Sequence, residues 1–362
     1  MNDIFAWAEK AHQLQTRLSL NTRILTPSNY LSEQERFFSS ERYNPQFRYA
    51  IPTISNVSRH IYSLHESLDH LSLPAELAAY GKKFVHNLML VNRTRNAIGT
   101  DRFAALAGKL YGYRFESAEH VRRLLPPVKF ADTKNAPVYD AESMRSLFQT
   151  YINDHPHIAD AEVTIDHYNN HTIRVGDTKL TIGSAVKRNR KNVERLIVHE
   201  IESHMLQRQN LKHLKNPLLL LRQPHERELY AEGMAVYNEV ISGTITKRAF
   251  DMYFLRLKAV ELSKYSFRDI FQYLSPFVQK QTAFVITYRV KRGLANTKRT
   301  GGFPKDAAYL LGYAEILDYL KRGGKREMLY ISPSPELGQM LLKYNLLPTH
   351  GHFTPRFWES ST

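Results

Sequence analysis

Three residues near the middle of the chain could carry out chemistry together. Residues 193–210, VERLIVHEIESHMLQRQN, contain His199, Glu200 and His204 on a predicted helix. A His-Glu pair followed by a second histidine is typical of zinc peptidases, in which two imidazoles bind the metal and the adjacent glutamate takes a proton from water. The apolar residues just before His199 predict that one face of this helix is buried in a core.

The spacing of the two histidines differs from the common zinc-peptidase motif. That motif separates them by four residues, about 40° around the helix, whereas His199 and His204 are five residues apart, which gives about 140°. Side chains so far apart cannot bind one ion on a regular helix. We predict a one-residue π-turn between them, because the helix continues through Met205 to Gln209 without Gly or Pro. The alternatives are a helix that ends or kinks before His204, and two unrelated histidines, one in the core and one on the surface.

A third metal ligand is predicted on a second helix, HERELYAEGMAVYNEVIS, residues 225–242. Glu228 and Glu232 lie one turn apart on a common face. Glu232 is the better candidate, because its small neighbours Ala231 and Gly233 would let the backbone approach another helix and bury the carboxylate. Two histidines and one glutamate would leave one position open for water. The alternative is that both glutamates are solvated surface carboxylates.

A further histidine pair, His350 and His352, lies in the proline-containing tail LPTHGHFTPRF. No third ligand type is nearby in the sequence. We therefore expect these two histidines not to form a metal site.

Four segments together resemble a known family. They are HEIESH (199–204), AEGMA (231–235), RVKRG (289–293) and GGFPKDAAYLLG (301–312). The chain resembles the microtubule-associated tyrosine carboxypeptidase family, whose bacterial members are called flavohaemoglobin expression-modulating QEGLA-motif proteins. The resemblance runs from about residue 180 to the C-terminus and is weaker in the preceding helices.

The resemblance implies a role for each matching residue. His199, His204 and Glu232 would hold one Zn²⁺ per chain, and Glu200 would be the catalytic base. Ala231 stands where the family usually has Gln or Glu, and Glu202-Ser203 stands where it usually has Gly-Thr. Glu202 adds a carboxylate near the metal, which would either perturb the pKa values of the ligands or face solvent.

Several Arg and Lys side chains lie between residues 289 and 305, a stretch that contains no acidic residue. A carboxypeptidase must hold the terminal carboxylate of its substrate, and arginine does this best through two parallel hydrogen bonds. We predict that Arg289, Arg292 or Lys305 binds this carboxylate, and that Tyr309 polarises the scissile carbonyl. The alternative is a solvated basic surface.

Composition narrows the classes of function. The chain has 362 residues, with 50 Lys plus Arg against 35 Asp plus Glu, a net charge of +15. It has no cysteine, which excludes a disulfide framework, a zinc ribbon, an Fe–S cluster and a cysteine nucleophile. The positive charge favours an acidic partner, but no helix-turn-helix, RNP-like or zinc-finger motif supports specific nucleic-acid binding. No signal peptide and no apolar run of about 20 residues occurs, so we expect a cytoplasmic protein without membrane insertion.

Helical periodicity dominates the sequence on both sides of a short β-rich stretch. Val, Ile and Thr are concentrated between residues 161 and 183, with Asn169-Asn170 and Gly176-Asp177 as turn signals, which predicts one small antiparallel sheet. We expect an α+β, predominantly helical fold with a zinc-peptidase-like core, in which the sheet precedes the HExxxH helix. The predicted regions are a helical one, 1–135, and a catalytic one, 136–362. Predicted helices are 3–19, 57–71, 74–96, 101–110, 117–125, 141–154, 190–209, 225–242, 246–265, 267–274, 277–292, 305–321 and 335–346.

The sequence thus predicts a zinc metallocarboxypeptidase-like hydrolase. Its substrate would be the C-terminus of a protein or peptide, with an acidic tail and an aromatic last residue as candidates. The alternative is a basic binding or regulatory protein with a structural metal or none, and without turnover.

Overall fold

Helices make up most of the chain, in agreement with the predicted α+β, predominantly helical class. The computed structural model describes residues 2–134, 136–158, 160–167, 172–176, 178–347 and 351–359. The α-helices are α1 (Asn2–Leu18), α2 (Thr22–Leu25), α3 (Tyr30–Phe38), α4 (Val57–Asp69), α5 (Ala75–Asn96), α6 (Arg102–Tyr111), α7 (Ala118–Leu124), α8 (Ala141–Asn153), α9 (Arg190–Leu196), α10 (Leu206–His213), α11 (Pro224–Ile241), α12 (Lys247–Glu261), α13 (Phe267–Leu274), α14 (Lys280–Lys291), α15 (Ala308–Lys321), α16 (Met328–Ile331), α17 (Pro335–Lys343) and α18 (Arg356–Glu359).

Polar N-caps explain where several of these helices begin. The Asp140 side chain accepts a hydrogen bond from the Ser143 amide at the start of α8, and Ser266 forms a capping box with Asp269 at the start of α13. Asn189 caps α9 in the same way by accepting from the Asn192 amide. These contacts satisfy amide groups that have no partner within the helix. The four-residue helices α2, α16 and α18 were not predicted, since a single turn carries little periodicity. The nine-residue helix α3 was also not predicted.

Five short strands form two small sheets. They are β1 (Val138–Tyr139), β2 (Glu162–Asp166), β3 (Ile173–Val175), β4 (Lys179–Gly183) and β5 (Arg188–Asn189). Strands β1 and β5 pair antiparallel, and β2, β4 and β3 form a three-stranded sheet in that order. β5 leads directly into α9, so the smaller sheet ends where the predicted site helix starts.

The prediction of one antiparallel sheet is wrong in two respects. The three-stranded sheet is mixed, because β2 runs parallel to β4 and only β3 runs antiparallel to it. Leu180 and Ile182 of β4 are fully buried, so the most apolar strand takes the centre and the more polar β2 and β3 take the edges. The second sheet joins two-residue strands that are far apart in the sequence, and such strands leave no periodic pattern.

The chain divides into two compact units, each built from several segments. Unit 1 comprises Met1–Leu124, Leu220–Glu228 and Tyr253–Ala308, and unit 2 comprises Leu125–Leu219, Leu229–Met252 and Tyr309–Thr362. An aromatic cluster lies in the core of unit 1, where the Phe37 ring contacts Phe267, Phe271 and Phe284 edge-on at 4.8–5.2 Å. The division into residues 1–135 and 136–362 stays a prediction. Among the helices that the structure describes, none has both the length and the apolar character to cross a membrane.

Candidate metal centre

The helix that carries the two histidines changes its winding between them. Residues Ile197–Met205 form a π-helix between α9 and α10, so the predicted π-turn between the histidines is confirmed, and the π-helical winding spans nine residues. The imidazole centroids of His199 and His204 lie 5.0 Å apart, with the rings nearly perpendicular. Their side chains are only 8% and 11% exposed. The alternative of one core and one surface histidine therefore does not hold.

A buried polar network supports the π-helix from the side. The Ser203 hydroxyl donates to the Val198 carbonyl, five residues back, at 2.7 Å. The Asn238 amide nitrogen donates to Ser203 Oγ at 2.8 Å and to the Tyr330 hydroxyl at 2.7 Å. Tyr330 in turn donates to the Glu202 carbonyl at 2.8 Å. The Val198 and Glu202 carbonyls thus gain side-chain donors, which compensates for poorer backbone hydrogen bonds in the wider winding.

A close crossing of two helices positions Glu232. Gly233 of α11 lies against Gly312 of α15, and a Cβ atom built at Gly233 would be 2.3 Å from the Gly312 carbonyl carbon. A Cβ at Gly312 would be 2.0 Å from the Leu229 carbonyl oxygen. Only glycine permits this approach at both positions. The expectation that small residues beside Glu232 allow its burial is thus confirmed, since the carboxylate is 15% exposed.

The three predicted ligands meet at one point in unit 2. Glu232 Oε2 lies 3.7 Å from Nε2 of both His199 and His204, and one ligand atom from each residue lies within 4.8 Å of the other two. Zinc bonds of about 2.0–2.2 Å at tetrahedral angles would place two ligand atoms about 3.4 Å apart. Glu232 Oε2 is buried and has no hydrogen-bond partner among the described residues. The residues present therefore fit a zinc ion.

The charges of this cluster favour a cation. Burial lowers the pKa of His199, but its interactions with Glu232 and Glu239 outweigh burial and raise that pKa to about 10. Burial alone would raise the pKa of Glu232, but its pairing with His199 and His204 holds that pKa well below its usual range. The two carboxylates thus stabilise positive charge on or beside His199. A divalent cation would supply that charge.

Glu239 orients His199, and the sequence interpretation had not singled it out. Its Oε1 atom lies 2.7 Å from His199 Nδ1 and 2.6 Å from Arg195 Nη1. The carboxylate is fully buried. A hydrogen bond at Nδ1 leaves Nε2 facing Glu232 and His204, as is typical of metal-binding histidines. Glu239 follows Glu232 by seven residues, two helical turns, and this spacing on one face is the signal that could have found it.

We expect Glu239→Gln to weaken zinc binding by about 10–100-fold, because outer-shell partners of metal-bound histidines typically have effects of this size. The amide can still contact His199 but brings no charge to balance Arg195 and the metal. Competition with a chromophoric chelator would measure the dissociation constant. Glu194→Gln, at a one-third exposed position of α9 next to Arg190 and Lys191, is the matched control. Equal zinc affinity in the two variants would contradict the orienting role.

Glu200 and Tyr309, two further predicted residues, also belong to unit 2. Glu200 is half-buried on the π-helix, next to His199. The Tyr309 ring is nearly parallel to the His199 imidazole, with centroids 6.4 Å apart. The structure thus brings Tyr309 beside one of the candidate ligands.

The predicted carboxylate-binding cations belong to unit 1, and two of them already have acidic partners. Arg289 forms a two-pronged pair with Asp306, with Nη2 2.6 Å from Oδ1. Lys305 Nζ lies 2.8 Å from Glu228 Oε2, so Glu228 pairs with a lysine. Asp306 stands just beyond the acid-free stretch, and sequence reasoning did not consider it as a partner. Burial would raise the pKa of Asp306, but Arg289 holds it well below its usual range.

Arg292 has a different environment from the other two cations. It is 6% exposed, and its guanidinium carbon lies 4.9 Å from the centre of the Phe303 ring. Among the described residues, its Nε atom has no hydrogen-bond partner. Burial lowers its pKa.

Of the tail histidines, His350 lies outside the described residues, so the expectation for the His350–His352 pair stays a prediction.

Comparison with known proteins agrees with the resemblance seen in the sequence. The sequence profile of the family described as microtubule-associated tyrosine carboxypeptidase matches residues 35–341. No match was found among curated proteins. The matched range includes His199, Glu200, His204 and Glu232 and spans most of the chain. The chain therefore belongs to the microtubule-associated tyrosine carboxypeptidase family.

Proposed function

We propose that this protein is a zinc-dependent carboxypeptidase that removes the last residue of a protein or peptide. The observation that carries the proposal is the convergence of His199, His204 and Glu232 within 4.8 Å, with Glu200 next to the first histidine. The family is one of carboxypeptidases by its description. Zinc dependence and the identity of the released residue are our inferences from these two facts.

His199, His204 and Glu232 would hold the zinc ion, each through the atom that faces the other two. Three protein ligands leave one coordination position for water or substrate, as in catalytic rather than structural zinc sites. When bound, zinc supplies a Lewis acid that polarises the scissile carbonyl and lowers the pKa of a water molecule. Glu239 and Arg195 keep His199 in the orientation and tautomer that this binding needs.

Glu200 would act as the catalytic base. It takes the proton from the attacking water and later gives it to the nitrogen of the leaving residue, so that the amine departs neutral. We expect the Glu200 carboxylate to lie close to the reaction without being a ligand, because it follows His199 directly and its charge acts on that histidine. Half-burial of Glu200 leaves it accessible for these proton transfers.

Two contacts with the substrate are proposed from the remaining residues. Tyr309, whose ring lies beside His199, would donate a hydrogen bond to the carbonyl oxygen as charge develops on it. As the sequence indicates, we propose that Arg289, Arg292 or Lys305 binds the terminal carboxylate of the substrate. An arginine can hold a carboxylate through two parallel hydrogen bonds.

The substrate is proposed to be an acidic tail that ends in tyrosine or another aromatic residue. The family description names tyrosine, and the net charge of +15 would raise the rate of encounter with an acidic chain. This steering should weaken as salt is added, since screening shortens the reach of surface charges.

A panel of matched peptides tests the proposed reaction. We expect release of the last residue from acidic peptides that end in Tyr or Phe with a free carboxylate, slower release of Ala, and no release from the same peptides as C-terminal amides. The physical reason is that an amide cannot form the charged contact with an arginine. Mass spectrometry of the products gives the cleavage position, and Glu200→Gln is the control for contaminating peptidases. Equal cleavage of acids and amides would indicate an endopeptidase and contradict the proposal.

A further inference from the structure

A carboxylate is buried on the π-helix between the two histidines. Glu202, two residues before His204, is completely buried in unit 2, so the alternative in which it faces solvent is wrong. The Tyr151 hydroxyl donates to its Oε1 atom, and His155 Nε2 lies 3.5 Å from the same atom. A carboxylate removed from water is strongly destabilising unless charged or hydrogen-bonding groups surround it.

Arg356 of α18 completes the surroundings of Glu202. The Arg356 amide donates to Glu202 Oε2 at 3.2 Å, and its Nε atom lies 3.4 Å from Oε1. The guanidinium lies over the Tyr151 ring, with its carbon 4.0 Å from the ring centre. It also reaches the Asp154 and Tyr151 carbonyls at 3.4 and 3.5 Å. Arg356 thus brings a permanent positive charge within hydrogen-bonding distance of the buried carboxylate.

The rest of the C-terminal segment, residues 351–359, is fixed to the same part of unit 2. The Asn210 side chain pairs with the Phe353 backbone through two hydrogen bonds of 2.8 and 2.6 Å. The Phe353 ring stacks on His157 at 4.0 Å. Trp358 contacts Tyr330 edge-on at 5.2 Å, and Tyr330 bonds the Glu202 carbonyl. The segment therefore contacts both the side chain and, through Tyr330, the backbone of Glu202.

We propose that the C-terminal segment, through Arg356, positions His204 for metal binding by clamping Glu202 on the π-helix. This inference rests on the proposed zinc site. The family profile ends at residue 341, so the segment lies beyond the matched range. Arg356 is a positioning residue: it touches neither the candidate ligands nor the substrate position, and it acts through Glu202.

The π-helix is the element that the clamp would stabilise. A regular α-helix is the more favourable winding for most sequences, and π-segments persist where surrounding contacts support them. Return of residues 197–205 to α-helical winding would leave the side chains of His204 and His199 about 140° apart around the helix axis. Without Arg356, Glu202 keeps Tyr151 and His155 but loses its permanently charged partner, and the segment can relax by moving the carboxylate toward water. His204 would then occupy its metal-binding position for a smaller fraction of the time.

The test compares Arg356→Ala with a matched arginine in the full chain. Arg145→Ala removes an arginine from an exposed pair with Glu142 on α8, so it changes the net charge equally. Hydrogen exchange of amides 197–205 is measured in the metal-free proteins, and the zinc dissociation constant by competition with a chelator. We expect faster exchange and about tenfold weaker zinc binding in Arg356→Ala, an intermediate effect in Arg356→Lys, and no change in Arg145→Ala.

A double variant separates the clamp from simple packing of the segment. If Arg356 acts through the charge of Glu202, then Arg356→Ala should have a much smaller effect on exchange and zinc binding in a Glu202→Gln background. An equal effect in both backgrounds, or unchanged exchange and zinc affinity in Arg356→Ala, would overturn the proposal. Absence of zinc binding by the wild-type chain would instead refute the proposed function. The exchange of residues 197–205 would then decide by itself whether Arg356 holds this segment.

Discussion

Glu200→Gln is expected to lower kcat by about 10²–10⁴-fold while leaving the zinc content at one ion per chain. Glutamine has nearly the same size as glutamate but cannot accept the proton of the attacking water. Glu200 is not one of the three residues that meet at the candidate metal centre, so metal binding should persist in the variant. Steady-state kinetics on a peptide ending in tyrosine, together with metal analysis of the same sample, would measure both quantities.

Glu194→Gln provides the control for this substitution. Glu194 precedes Glu200 by six residues and is one-third exposed, next to Arg190 and Lys191, so it should tolerate the change without loss of activity. Full activity of Glu200→Gln would remove Glu200 from the mechanism. Loss of zinc together with activity would make it a ligand rather than the base.

His204→Ala is expected to remove most of the bound zinc and, with it, all measurable hydrolysis. One of three ligands is lost, and the effect should exceed the about 10–100-fold that an outer-shell partner contributes. The helical content should be nearly unchanged, because the side chain meets Glu232 and His199 rather than a large apolar cluster. Metal analysis after dialysis and circular dichroism would report the two outcomes.

The exposed His86 on α5 offers a matched variant for this experiment, since His86→Ala removes an imidazole that contributes to no candidate site. Its zinc content should equal that of the wild type. Stoichiometric zinc in a variant that lacks both His199 and His204 would contradict the ligand assignment.

The sequence predicted the centre of the site because local rules determine it. Two histidines five residues apart can face one point only if the helix widens, and the structure contains a π-helix at that place. We preferred Glu232 to Glu228 because small residues flank it. In the structure one of these residues, Gly233, allows close contact with the backbone of Gly312. Helix periodicity likewise predicted the long helices, with their ends displaced by a few residues.

Other features depend on contacts between distant parts of the chain. The order of β2, β4 and β3 puts the most buried strand in the centre, whereas the turn signals between these segments indicated only an antiparallel sheet. Glu239 gains its importance from Arg195 and His199, 44 and 40 residues away. Arg356 meets Glu202 across 154 residues. No local pattern marks such pairs, although the two-turn spacing from Glu232 to Glu239 would have indicated a shared helix face.

Anomalous scattering at the zinc edge, from crystals of the protein purified with zinc, tests the central claim most directly. We predict a single peak per chain, with bonds of about 2.0–2.2 Å to Nε2 of His199, Nε2 of His204 and Oε2 of Glu232, and with Glu200 outside bonding distance. A peak at other residues, or no peak in a chain that hydrolyses peptides, would contradict the account.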